Sequence, residues 1–473
     1  MTPTRHKSKG ASRRRRGARK SQRGVALVMV MGAIAILTVV LAEFQDETSA
    51  ELAAATAQRD AVQAEYMARS AVNLSRLLIA SEPTIRKAIA PLFMFLKRTP
   101  PQIPVWEFSD RLLGAFNDEE SSKDFELAVG ASAGEGKNLG MPGGHYELNI
   151  VDEDAKINVN LGASNDIAHI RLGKELMGLI MAPQYSPLFE QRDAKGQFHD
   201  RMAICQAIID WADVDEQAFN CDMAAISAAQ NAGVEDGWYQ IMPYRRKNAP
   251  YDSLEELRQV RGVGEDFWAT FVEPDATNPK KRILTVWGQG AVNINTANAQ
   301  TILGVLCAGA PDAPVCLDAS QASTFLMGVT MARGITMGAP LFGSTKDFVQ
   351  AMTGKGMLGP MLASIGMKPV RFRSESEFVK SISTESKVFS IYAVGVKKGY
   401  RRETRVKVHA VVDFRHASPL TAPGLGGLAG AAGLAGAQQT QNNPAAAALA
   451  AGGAAAMAQQ PSTGGDVVYF RVE

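Results

Sequence analysis

The run Val25 to Ala42 (VALVMVMGAIAILTVVLA) constrains this chain more than any other feature: 18 residues pass without a charge. At 1.5 Å per residue that nears the lower limit for crossing a hydrocarbon core of roughly 30 Å. Upstream, residues 1–24 carry ten basic groups (Arg5, Lys7, Lys9, Arg13, Arg14, Arg15, Arg16, Arg19, Lys20, Arg23) and no Asp or Glu. Such asymmetry predicts a cytoplasmic N-terminus and export of everything after Ala42. A cleaved secretory signal has a shorter apolar core and a small-residue cleavage box; here Glu43, Phe44, Gln45, Asp46 and Glu47 follow instead. Setting those ten aside leaves 40 of the 50 basic residues against 48 acidic ones, net −8. The body is therefore mildly acidic, which argues against phosphate-backbone binding as its main role.

No Pro or Gly occurs from Glu43 to Ser81, and Ala, Glu, Gln, Arg and Leu dominate. These strong helix formers predict one helix from Val25 to near Ala80, about 80 Å long. Phe44, Leu52, Ala55, Val62, Met67, Leu74, Leu77 and Leu78 form a loose apolar stripe along its outer half.

The 473 residues allow two or three domains. His145 to Val151 alternates as a half-buried strand does. Helical patterns cover Ile167–Met181, Met202–Ala212 and Leu254–Val260, short strands Ile283–Trp287 and Ala291–Ile294, and further helices Ala299–Leu306 and Ala322–Ala332. From Val388 strand patterns return as VFSIYAVGV and RVKVHAVVDF, joined by a turn around Gly399. Residues 419–465 are Gly, Ala, Pro and Gln-rich, read as a flexible loop. Val467–Val472 then reads as a strand that pairs with the preceding hairpin, because lengthening a loop costs only about 0.6 kcal/mol per doubling.

The junction Gln22-Arg23-Gly24-Val25-Ala26-Leu27-Val28 resembles the class III signal of type IV pilins and type II secretion pseudopilins. In that family a membrane prepilin peptidase cuts after the Gly and methylates the new N-terminus, which implies cleavage between Gly24 and Val25. Most members have Glu as fifth mature residue, which here is Met29. An intramembrane carboxylate needs a cationic partner, and the minor pseudopilin K family, understood as tip subunits with no neighbour above, dispenses with it. Five further segments match that family in order: VDEDAKINVN (151–160), IDWADVD (209–215), YRRKNAPY (244–251), SLEELRQVRG (253–262) and VNINTA (292–297). The resemblance covers roughly residues 15–415. It implies an α+β fold: a pilin-like long N-terminal helix with a small antiparallel sheet, carrying a large inserted α-helical domain similar to SAM or helix-hairpin-helix modules. The corresponding division is leader 1–24, helix 25–80, pilin-like domain 81–160 with 371–473, and inserted domain 161–370.

Asp210, Asp213, Asp215 and Glu216 fall within seven residues, with Glu235 and Asp236 further on. By composition alone such a loop is a solvated surface; dense hard oxygen ligands otherwise suit Ca²⁺. The K family carries a calcium-binding loop of this form, so the resemblance implies Ca²⁺ on those six residues. Cys205 and Cys221 bracket the loop, and Cys307 and Cys316 bracket a second one. Two local disulfides are the simplest of three pairings in an oxidising compartment, with buried free thiols as the alternative.

Leu257 to Gly264 (LRQVRGVG) resembles a helix-hairpin-helix turn, but Glu255, Glu256, Glu265 and Asp266 crowd Arg258 and Arg261, poor steering for a polyanion. No catalytic residues stand out: the six histidines lack metal-ligand spacing, and no phosphate loop or nucleophile elbow is complete. The chain therefore reads as a non-enzymatic minor pseudopilin at the tip of a type II secretion pseudopilus. It would pass once through a bacterial inner membrane, with its body in the periplasm. The resemblance implies as partners the minor pseudopilins I and J, the major pseudopilin, the prepilin peptidase and exported proteins. A DNA-uptake pilus tip that binds nucleic acid through residues 254–268 is the alternative.

Overall fold

The computed structural model describes residues 23–95, 99–129, 137–190, 200–223, 237–336, 338–356, 358–399, 402–418 and 463–473. Leader residues 1–22, Glu235, Asp236 and most of the Gly/Ala-rich stretch lie outside them. Two compact units divide the chain, residues 1–62 and 63–473. In the first, the described residues are helical throughout and belong to α1, Arg23–Phe95. Its apolar residues from Val25 to Leu41 are exposed, and the helix is long and apolar enough to cross a membrane.

In the second unit a four-stranded antiparallel sheet has the order β1-β6-β7-β8, with β1 Gly144–Asp152, β6 Val388–Lys398, β7 Glu403–Asp413 and β8 Asp466–Val472. The terminal strand pairs with the hairpin as its β-branched and aromatic content predicts, with Val408 opposite Val472. Arg76 fixes the chain's return to β8, donating from Nε to the Gly464 carbonyl at 2.8 Å and from Nη2 to that of Gly465 at 2.9 Å.

Against this sheet lies the stretch of α1 carrying Ala64, Met67, Ala68, Ala71, Val72 and Ile79, all buried. The spacing of three and four is a single helical face, which takes in only part of the stripe expected from the large residues: Met67 is buried in it, and Leu74 and Leu78 pack partly buried against it. Phe44, Leu52, Val62 and Leu77 are exposed. Contact with β6 selects small side chains instead: a Cβ on Gly395 would sit 1.8 Å from the Ala64 carbonyl oxygen. Helix α1 also runs past its expected end at Ala80, through Pro83 and Pro91. Glu82 explains part of this, because its carboxylate accepts the Ile103 N–H at 3.0 Å and pairs with Arg86, which in turn pairs with Glu385. Tertiary anchoring past Pro83 outweighs the lost helical hydrogen bond.

Between β1 and β6 the chain is mainly helical, an α+β organisation. Its buried apolar residues, from Ala155 to Ile382, form one core, separate from the core of α1 and the sheet. Helix Asp166–Ile180 crosses helix Ala299–Gly309 closely: a Cβ on Gly178 would meet the Gly304 carbonyl oxygen at 2.2 Å. Four two-residue strands pair in parallel, β2 Ile157–Asn158 with β3 Leu284–Thr285 and β4 Val292–Asn293 with β5 Ile382–Ser383. One expected α-helix differs. Residues Leu254–Gln259 wind as a 3-10 helix, being confined between Tyr251, whose hydroxyl donates to the Ile208 carbonyl at 2.8 Å, and a turn at Gly262 with φ +83°.

Candidate functional site

Helix Arg201–Asp210 delivers the acidic loop, and the structure joins Cys205 to Cys221 across it; Cys307 joins Cys316 in the second loop. Asp210, the last residue of that helix, is buried, with Oδ1 accepting the Phe219 N–H at 2.9 Å. Asp213 is also buried, and its Oδ1 has no hydrogen-bond partner among the described residues. Trp211 lies between them in sequence and packs against Tyr239, Tyr244 and Tyr251 at ring separations of 5.6, 6.4 and 6.4 Å. Tyr239 and Tyr251 of this aromatic cluster lie within electrostatic reach of Asp210.

Burial is the main reason both carboxyls are pushed up to about 7, with Asp213 adding to the shift of Asp210 and Asp215 to that of Asp213. The opposing cation is Arg246, which holds Glu216 at 3.2 Å. Nothing in the loop itself announced it; the Arg245-Arg246 pair within YRRKNAPY was the available signal. Asp215 turns to solvent and accepts the Gln217 N–H at 2.6 Å, and Glu216 is likewise exposed. Thus Asp210 and Asp213 are buried and interact with each other, while Asp215 and Glu216 face solvent. An orphaned buried carboxylate oxygen among hard donors suits a divalent cation. Among the described residues, however, no three His, Cys, Asp or Glu side chains converge closely enough to hold a metal.

A second acidic cluster lies in the VDEDAK segment, where nothing in the local sequence signals a role for it. At the end of β1, Asp152, Glu153 and Asp154 are all buried. Asp152 Oδ2 accepts the hydroxyls of Thr296 and Ser386. Glu153 pairs with buried Lys156 at 2.9 Å and accepts the Thr285 hydroxyl. Asp154 accepts backbone N–H groups of Gln289, Lys387 and Val388 at 2.8, 2.7 and 3.1 Å. Three successive carboxylates thereby tie the helical core to the sheet. Burial raises Asp152 to about 7 and Asp154 to about 6.

The helix-hairpin-helix-like turn keeps its cations occupied. Arg258 pairs with Glu265 and lies 3.9 Å over the Trp268 ring, and Arg261 lies 5.4 Å from the Trp238 ring centre. At the other end of the chain, Gly24 and Val25 stand in the first turn of α1, Val25 exposed.

No family model matches this chain, and no curated protein does. Among solved structures, it is similar to a chain of the crystal structure of the GspK-GspI-GspJ complex from the enterotoxigenic Escherichia coli type 2 secretion system. The identity is 15% and the TM-score 0.38, over 78% of this chain and 94% of that one.

Proposed function

We propose that this chain is a minor pseudopilin of the K type, working at the tip of a type II secretion pseudopilus and assembling with minor pseudopilins I and J. The observation that carries this reading is the exposed apolar stretch of α1 from Val25 to Leu41, directly behind ten cations and Gly24. A stretch of 17 uncharged residues, all apolar but Gly32 and Thr38, requires hydrocarbon or neighbouring apolar stems around it. The prepilin peptidase removes residues 1–24, the stem bundles with those of other subunits including the major pseudopilin, and the body stays in the periplasm as the cap. Exported proteins would meet that cap, in a mechanical rather than catalytic role. The buried carboxylate pair Asp210 and Asp213, with Asp215, Glu216, Glu235 and Asp236, would hold Ca²⁺ and stiffen the body. N-terminal sequencing of the membrane-extracted chain tests the proposal. A mature terminus at Val25 supports it; a terminus at Met1, or a cut beyond Ala42, sinks it.

A further inference from the structure

Helices Asp166–Ile180, Ala299–Gly309 and Glu375–Ser381 enclose a groove of about 510 Å³. Ile167 and Ile170 contribute apolar surface to it, Ile167 being 74% exposed, and the edge of the buried Phe378 closes the floor. Around them stand Arg171, Lys174, Arg373 and Lys380, with Glu377 as the one carboxylate in the lining. The protein's body is net acidic, so four cations against one carboxylate reverse the local background.

The neutralisation available to them is weak. Lys174 stands 3.7 Å from Glu377, and Arg373 pairs with Asp312 at 2.9 Å, the two carboxylates being 69% and 76% exposed. Surface pairs of this kind contribute about 0–1 kcal/mol. Arg171 and Lys380 make no direct ion pair among the described residues, and the carboxyl that Arg171 senses, Glu175, is buried beneath the groove. A phosphate or nucleic acid would use the cations but leave the apolar floor wet. A purely apolar partner would leave the charges uncompensated. What uses both is an apolar ridge flanked by carboxylates, and three bounding helices favour a helix as the ridge.

We propose that this groove seats an acidic amphipathic helix of a partner protein, its apolar residues on Ile167, Ile170 and Phe378 and its carboxylates toward Arg171, Lys174, Arg373 and Lys380. This proposal stands apart from the pseudopilin reading, since it needs only the second unit's own geometry.

The test uses the full chain in detergent micelles. The probe is a fluorescein-labelled helical peptide of about 14 residues, roughly four turns. It carries Leu at i, i+3, i+4 and i+7 with Glu beside them; a control peptide has Lys in place of every Glu. Anisotropy titrations should give an acidic peptide that binds at least about tenfold more tightly than the control, a preference that shrinks at high salt. The surface substitutions Lys380→Glu and Ile167→Ser should each weaken it about tenfold, while Lys407→Glu on β7 should not. Equal binding of both peptides, indifference to Lys380→Glu and Ile167→Ser, or no binding up to about 1 mM would overturn the proposal. So would crosslinks from an Ile167→Cys variant that join two copies of the chain, which would put a second copy in the groove.

Discussion

Glu175 offers the most direct test of the helical core. It lies on helix Asp166–Ile180 with no solvent exposure, and neither carboxylate oxygen has a hydrogen-bond partner among the described residues. Burial pushes its carboxyl from an ordinary 4.5 up to about 8, and Arg171 offsets this only in part. A carboxyl whose folded pKa is raised is protonated more readily in the folded protein than in the unfolded one. Below the unfolded pKa there is no penalty; above it, stability falls by about 1.4 kcal/mol per pH unit until the folded pKa is reached. At pH near 7.5 the accumulated penalty is on the order of 4 kcal/mol. Glu175→Met preserves length and flexibility while removing the charge. Urea unfolding followed by tryptophan fluorescence should show the variant several kcal/mol more stable near pH 7.5 and almost equal to wild type near pH 4.5. The other raised carboxyls, Asp152, Asp154, Asp210 and Asp213, occur in both proteins and cancel in the difference. An unchanged gap at the two pH values would show that Glu175 is solvated or paired, and the reasoning would fail.

Gly395→Ala should lower the urea midpoint by an amount equivalent to about 3 kcal/mol or more, because the new Cβ must displace the α1 backbone at Ala64. Replacing Cys205 and Cys221 together by Ser releases a loop with a sequence separation of 16. The expected loss is about 3 kcal/mol, read as a lower thermal midpoint without reductant. Millimolar Ca²⁺ should raise the thermal midpoint near pH 7.5 but not near pH 5, where Asp210 and Asp213, each pushed up to about 7, are protonated. Asp213→Asn should abolish that calcium response; a response that survives the substitution refutes the assignment.

What the sequence made legible is local chemistry. The unbroken apolar run, the two strands around Gly399 and the β-branched terminal segment each announce an element through patterns a few residues long, and the structure contains all three. What it hid depends on partners far along the chain. Asp152, Glu153 and Asp154 look like surface residues in VDEDAK, yet their hydroxyl and N–H donors lie 132 to 234 residues away. No spacing rule links Asp154 to Lys387, so a motif that ties the helical core to the sheet passes for solvated charge. The buried face of α1 is legible only in part, at Met67, Leu74 and Leu78, for a related reason. Hydrophobicity alone favours Phe44, Leu52 and Leu77, whereas the winning criterion is how closely a backbone can approach Gly395, which selects Ala64 and Ala68. Glu175 combines both failures. Its helix is buried at Leu172, Gly173 and from Glu175 to Ile180, and its polar face carries Arg171 and Lys174, so Glu175 falls on the core side and the fold must carry a neutral acid there.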